Sequence, residues 1–464
     1  MHVINTTDAT QVVKIRLRRG SDSRDALDFN VILSPKDEWT GSIRSDEAGV
    51  FVESNDASCT APAYNEGGNR FRMPETFAEG ATEGYIEVIG MAEADASQPI
   101  AVAAKHKAGV PANCASVRAN FFRVEDIGFG TNTIKGVHNN AVTANGSPAL
   151  TCPDSATLTA ICGVSNYTHT ADDALIVSYF SRDADGGLEY GNNAVMIQGF
   201  SQDAMMTNQE ALLIVDGTPQ WDPYNFELPN LDGGPVGTPA RGGANTGLYD
   251  SVIRPALGAT AIYNDWSNNQ SDSFSVNTDW VVTIPGQYLM VDPVVFFLAE
   301  AAGKEAICKA KVCDARDIPV RANVKFYDRE ETAFAPEDGD LVVSPATSVS
   351  TGTDLPYEVN VIEWSDTAVL DSQYAQSFDV SIAGAANGWA ALSVTPSTAK
   401  APQAVWDPNT DGTFTGTLAP VTNINPTTTL SNPPIIGFAV WERNFGNNSA
   451  ANYGRAVDHS YGSM

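Results

Sequence analysis

The chain has 464 residues, of which 56 are acidic and 27 are Lys or Arg, giving a formal net charge of −29. That balance argues against nucleic acid as a partner, because phosphates demand basic patches, and against docking on anionic membrane surfaces. With 43% hydrophobic and only 18% charged residues, it is a folding chain and not a disordered polyanion.

In chain order, "HVINTT" reads as the last half of a strand, with no basic n-region, apolar h-region or cleavage site before it. Processing, trimming or a misassigned start is expected to have cut this strand short. A missing strand would leave an open sheet edge for a segment of a neighbouring molecule to fill. Val13, Ile15 and Leu17 then alternate with Lys14, Arg16 and Arg18, the period-2 pattern of a half-buried strand. "RGSDSRD" is a turn, and Leu27, Phe29, Val31 and Leu33 mark a second strand that "SPKD" ends. The pair reads as an antiparallel hairpin.

Further strands are expected at 84–91, 174–181, 193–200, 278–285, 321–328, 357–364, 377–384 and 435–444, punctuated by Gly, Pro, Asn and Asp. "QEALLIV" (209–215) fits a helical turn or a strand equally. "DPVVFFLAEAAGKEAICKAKVCD" (292–314) has a helix-friendly middle but fits strand and loop as well. Two stretches, 216–247 and 395–434, are rich in Pro with Gly or Thr and read as long loops or linkers. The expected fold is all-β: antiparallel β-sandwich domains, Ig-like or jelly-roll-like, with long loops and little helix. The expected divisions are 1–130, 131–300 and 301–464. Apolar runs are too short and too charged to span a membrane.

The six cysteines are Cys59, Cys114, Cys152, Cys162, Cys308 and Cys313. Proximity favours Cys152–Cys162 and Cys308–Cys313, which leaves Cys59 and Cys114. The even count, without CxxC or a nearby His, speaks for three disulfides and an oxidising compartment over zinc. Six buried thiols are the alternative.

Several words in order, among them "VKIRLRRGSDSRDALDFNVILSPKDEWTG", "HKAGVPANC", "NTDWVVTIP", "LPYEVNVIEW", "IIGFAVWERNFG" and "NYGRAVDHSY", resemble a family of uncharacterised exported proteins of Gram-negative bacteria. The resemblance runs over nearly the whole chain. It implies an extracellular or cell-surface location and a Cys59–Cys114 bridge, and it carries no activity and no functional residues.

Catalytic signatures are scarce. GxSxG, HExxH and the P-loop are absent from the sequence. Of five scattered histidines, His106 and His459 lie within the family-like words. "YDREE" gathers Asp328, Glu330 and Glu331, a pattern more typical of a salt-bridged strand end than of a glycosidase pair. Calcium has better support. Asp407, Asn409 and Asp411 alternate before Gly412 as oxygen ligands on a tight turn would, although Leu418 stands where an EF-hand has Glu. Asp183, Asp185 and Glu189 form a second candidate. An Asx-turn is the plainer account of both. Sequons occur at Asn5, Asn145, Asn166, Asn269 and Asn447, and Trp221, Tyr224 and Phe226 of the first long loop could stack on a sugar.

These features point to an exported structural protein of the cell surface without enzymatic activity, self-associating as a filament or surface-array subunit. The alternative is a calcium-dependent adhesin or carbohydrate-binding protein.

Overall fold

The computed structural model describes residues 1–21, 25–78, 80–118, 123–129, 132–136, 167–183, 188–200, 212–215, 218–221, 254–257, 259–271, 273–285, 320–329, 333–334, 351–365, 367–377, 386–395 and 434–462. The fold is all-β, antiparallel and sandwich-like, mostly strand with little helix. Two compact units divide the chain: residues 1–19, 24–178 and 196–253, and residues 20–23, 179–195 and 254–464. They interleave along the sequence, so they do not follow serial divisions at 130 and 300.

In the first unit the strands are β1 (His2–Asn5), β2 (Thr10–Arg19), β3 (Asp25–Leu33), β4 (Glu38–Thr40), β5 (Ser42–Asp46), β6 (Gly49–Glu53), β7 (Cys59–Ala61), β8 (Arg70–Arg72) and β9 (Gly84–Ala94). After them come β10 (His106–Lys107), β11 (Val110–Pro111), β12 (Arg123–Phe129) and β13 (Asn132–Gly136), then the start of β14 (Leu175–Asp183) and, later in the chain, two strands at Leu212–Val215 and Thr218–Trp221. The expected hairpin is β2–β3, with Val13 opposite Val31 and Ile15 opposite Phe29. It sits inside a sheet of order β7-β3-β2-β9. Val13, Ile15 and Phe29 are fully buried, with the Phe29 ring 4.4 Å from Phe71 and 5.7 Å from Trp39.

The opposite face of this sheet departs from the half-buried pattern. Lys14 and Arg16 are fully buried and Arg18 nearly so. The alternation in β2 therefore separates an apolar buried face from a charged buried face. Lys14 Nζ and Arg16 Nη2 each lie 3.1 Å from Asp28 Oδ2, and Arg18 Nε lies 3.1 Å from Glu87 Oε2 on β9. Further along the same face, Val12, Ile32, Cys59 and Ala61 pack under the short helix α1 (Pro99–Ala104). Pro99 opens α1, where a missing N–H costs nothing. Its Ala101, Ala103 and Ala104 are small enough to lie close on the sheet. Cys59 on β7 bonds to Cys114 at the start of α2 (Cys114–Arg118), with S–S 2.05 Å across a separation of 55 residues.

β1 is paired on both sides, with His2–Asn5 against Leu175–Ser178 and His2–Ile4 against Glu38–Thr40. The open edge expected beside the first strand is thus occupied by this chain's own residues.

The remaining strands are β15 (Leu188–Asn193), β16 (Leu212–Val215), β17 (Thr218–Trp221), β18 (Ala261–Gln270), β19 (Phe274–Thr283), β20 (Val320–Asp328), β21 (Ala333–Phe334), β22 (Thr351–Leu355), β23 (Val359–Glu363), β24 (Ala375–Ser377), β25 (Asn387–Thr395), β26 (Ile436–Phe445), β27 (Tyr453–Asp458) and β28 (Ser460–Gly462). In the second unit β18 serves two layers. Ala261–Ser267 pair with β25, whereas Asn268–Gln270 pair with β19. Between the layers lies one apolar core. Ile262 and Trp266 of β18, Ala322, Val324 and Phe326 of β20, and Ala390, Leu392 and Val394 of β25 meet Trp280 and Val282 of β19, Ile362 and Trp364. Every second residue points inward, as period 2 requires.

The expected strand at 193–200 does not form beyond Asn193, and Val195 and Met196 are exposed. Gly199 takes a positive φ of 66° and its N–H donates to Asp172, which turns the segment out of any ladder. Leu212–Val215, the described part of the ambiguous 209–215 stretch, is strand. Expectations for 292–314 and for most of 377–384 and 395–434 lie outside the described residues, as do Cys152, Cys162, Cys308 and Cys313.

Candidate functional site

His106 joins a serine and an aspartate. Asp37 closes the turn after β3: its Oδ2 accepts the Ser34 N–H at 3.0 Å, the Ser34 hydroxyl at 3.2 Å and the Ser58 hydroxyl at 3.4 Å. His106 Nδ1 lies 3.1 Å from Ser34 Oγ and 3.4 Å from Asp37 Oδ2. A relay needs one imidazole nitrogen on the nucleophile and the other on the acid. Here a single nitrogen faces both, and the hydroxyl is spent on the carboxylate. The cluster ties the end of β3 to β10.

His459 is 2% exposed. Its Nε2–H donates to the Val281 carbonyl at 3.1 Å, and its Nδ1, 3.0 Å away, accepts from the Asn264 amide. Burial pushes the imidazole down to about 4, so it is neutral near pH 7. Its ring centroid is 4.9 Å from that of Trp280. This histidine packs and bridges strands.

Asp279 on β19 is fully buried. Its Oδ2 accepts the N–H groups of Val369 and Leu370 at 2.9 and 2.8 Å, which pins the loop after β23. Its Oδ1 is buried without a hydrogen bond. Burial, then the nearby Glu363 and Glu442, push this carboxyl up to about 6, against the two N–H donors.

Of the calcium candidates, Asp407, Asn409, Asp411 and Asp185 lie outside the described residues. Asp183 ends β14 but its side chain is not described, and Glu189 is exposed on β15. Among the described residues no three His, Cys, Asp or Glu side chains gather as metal ligands. Asp328 is half-buried at the end of β20, while Glu330 and Glu331 lie outside. Tyr224 and Phe226 also lie outside, and Trp221 is described by its backbone alone. The Asn5 sequon is closed to a glycan in the fold. Asn5 is buried, and its Nδ2 donates to the carbonyls of Ala9, Leu33 and Ser34. Asn447 is exposed in a turn, and Asn269 stands in the β18–β19 hairpin.

The outer face of the β18–β25–β20 layer carries a feature that sequence reading missed. Asp265, Trp389 and Tyr327 stand in one cross-strand row, with Tyr263, Ala391 and Lys325 in the next. The Trp389 and Tyr327 rings stack with centroids 4.2 Å apart and planes 15° apart. Gly388 permits this. A Cβ there would collide with the Tyr327 carbonyl oxygen, so only Gly lets the strands approach. Trp389 remains 40% exposed, and Asp265, its neighbour on the other side, is short and exposed. An indole held rigid beside a carboxylate offers apolar C–H groups a surface and hydroxyl groups an acceptor. "NGWAALSVT" held the signal, since Trp389, Ala391 and Ser393 alternate with Ala390, Leu392 and Val394.

No family profile, curated protein or solved structure matches the chain. Among the described residues no helix is long and apolar enough to cross a membrane.

Proposed function

We propose that this chain is an exported structural protein of the cell surface, a self-associating β-sandwich subunit that works by presenting faces and not by catalysis. One observation supports this reading above others: both histidines of the family-like words and a fully buried carboxylate of the second unit serve to hold turns, strands and loops. Ser34, Asp37 and His106 fasten a turn, Asn264 and His459 bridge strands, and Asp279 holds a loop. The Cys59–Cys114 disulfide is in keeping with an oxidising compartment. Self-association has no donor-strand argument at β1, whose two sides are taken. Electron microscopy of the secreted, non-recombinant protein, with and without a calcium chelator, tests it. Ordered filaments or sheets support assembly, and their loss on chelation supports calcium as a component of it. Single compact particles in both conditions overturn assembly.

A second reading, carbohydrate binding, is favoured by Trp389 and its neighbours. On a glycan array, Trp389→Ala should weaken binding about tenfold, the loss of one aromatic contact worth about 1.4 kcal/mol. An array without hits for the intact chain would end this reading.

A further inference from the structure

The charged face of β2 sets a buried lysine beside a buried amide that has no hydrogen bond. The antiparallel register sets Lys14 directly opposite Asn30, and such partners share one face within about 5 Å at Cβ. Both are fully buried. Both polar atoms of the Asn30 side chain, Oδ1 and Nδ2, are buried without a hydrogen bond. An unsatisfied buried amide costs about 1–3 kcal/mol and calls for an account. Two residues along β3 and on the same face, Asp28 holds its Oδ2 3.1 Å from Lys14 Nζ. Arg16 Nη2 holds that oxygen from the other side at 3.1 Å. Ala61 and Ile89 flank the Lys14–Asn30 row, and Val12 and Ile32 form the next row, all of them buried.

An amine, an amide without hydrogen-bonding partners, and a carboxylate in contact with the amine, enclosed partly by apolar side chains, are the components of an acyl transfer. We propose that Lys14 and Asn30 become joined by an intramolecular amide bond. Asp28, which burial pushes up but Lys14 and Arg16 together hold below the usual carboxylate range, takes a proton from the Lys14 ammonium, a transfer that replaces two buried charges by neutral groups. The neutral Nζ attacks Asn30 Cγ. The tetrahedral intermediate then collapses as the C–Nδ2 bond breaks. Asp28 returns its proton to the departing nitrogen, and the second Nζ proton follows. Lysine ammonium plus carboxamide give a secondary amide plus ammonium ion, with no oxidant or co-reactant. The fold supplies the drive by holding the groups together, which replaces an encounter in solution with an intramolecular step. Asp28 is catalytic here in the strict sense, since it touches the reacting nitrogen. The product removes a buried ammonium and an orphan amide, and it fastens β2 to β3.

Intact-mass spectrometry of the folded, full-length chain, after reduction of disulfides, tests this. The expected mass is lower than the sequence mass by one ammonia. Proteolysis should yield a branched species containing the peptides of Lys14 and Asn30. The unaltered mass, with those two peptides recovered separately from protein kept folded for days, overturns the proposal. Asn30→Ala and Asp28→Asn should each restore the full mass, whereas Glu87→Gln, which alters the Arg18 pair, should not. A bond that persists in Asp28→Asn overturns the role of Asp28. If either variant fails to fold, the wild-type mass and peptide map alone decide whether the bond exists.

Discussion

The two units solve the same problem differently. Each has a sheet whose second face must be shielded from water. In the second unit the shielding is aromatic: Trp364 lies 4.8 Å from Trp280 and 6.1 Å from Trp266 between the layers. In the first unit one face of β2 meets Phe29, Phe71 and Trp39, but the other buries three cations against Asp28 and Glu87. Apolar area stabilises wherever it is packed. A buried ion pair holds only while both partners stay, and replacing the whole group by apolar residues is often neutral. The second unit should therefore yield gradually to core truncation, and the first should fail when one charge is removed alone.

The largest effects test that contrast. Trp364→Ala should lower the stability of the second unit by about 4–5 kcal/mol through the cavity left behind. The first unit's calorimetric transition should stay in place. Arg16→Ala should cost the first unit about 3–5 kcal/mol, because the largely buried Asp28 carboxylate loses the guanidinium held 3.1 Å from it. If Arg16→Ala costs less than 1 kcal/mol, roughly a surface pair's worth, the charged face is not what the burial implies. Replacing Cys59 and Cys114 by Ser should cost about 4 kcal/mol, the loop-closure entropy of a bridge spanning 55 residues, again in the first unit alone.

A smaller effect sharpens the comparison inside the second unit. Asp279 is raised to about 6 from 3.8, so its contribution is full below 3.8 and lost as pH rises through 6. His459 is lowered to about 4 from 6.5, so its contribution is full above 6.5 and lost as pH falls through 4. The slopes oppose each other, and urea midpoints between pH 4 and 6 should change little. Asp279→Asn removes one slope, and stability should then fall by about 3 kcal/mol from pH 6.5 to 4. A flat profile in this variant would contradict a neutral His459. Smallest of all, Arg72→Ala should hardly move the melting point, although Arg72 bonds both Asp46 and Glu66, because the network is exposed and screened.

Alternation carried much of the strand reading. The stretches around 10–19, 25–33, 84–94, 175–183, 274–283, 320–328, 359–363 and 436–445 each present an apolar row, and each is a strand. Period 2 says which residues share a face. It does not say what covers the face, and so Lys14, Arg16 and Arg18 pass for a solvent side until Glu87, some seventy residues on, is folded against them. "NAVMIQGF" alternates too, yet Gly199 and Asp172 turn it away. Of the candidate site, the His106 and His459 words were visible, but their hydrogen-bond partners come from distant strands. The Trp389 row needs three strands in register, which no local pattern contains.

The pairing of His2 with Ser178 has a consequence for the order of events as the chain is made. The ribosome delivers residues 2–5 long before residues 175–178, at about 5–20 residues per second. The first-formed strand therefore waits about ten seconds or more for one of its two neighbours, longer than the microseconds a local hairpin takes to close. The β2–β3 hairpin can form meanwhile, and Cys59 can find Cys114, but this piece of sheet stays half-built until the 175–178 segment emerges. Chains released at residue 170 should present β1 with one side unpaired, and should be the species that chaperones bind.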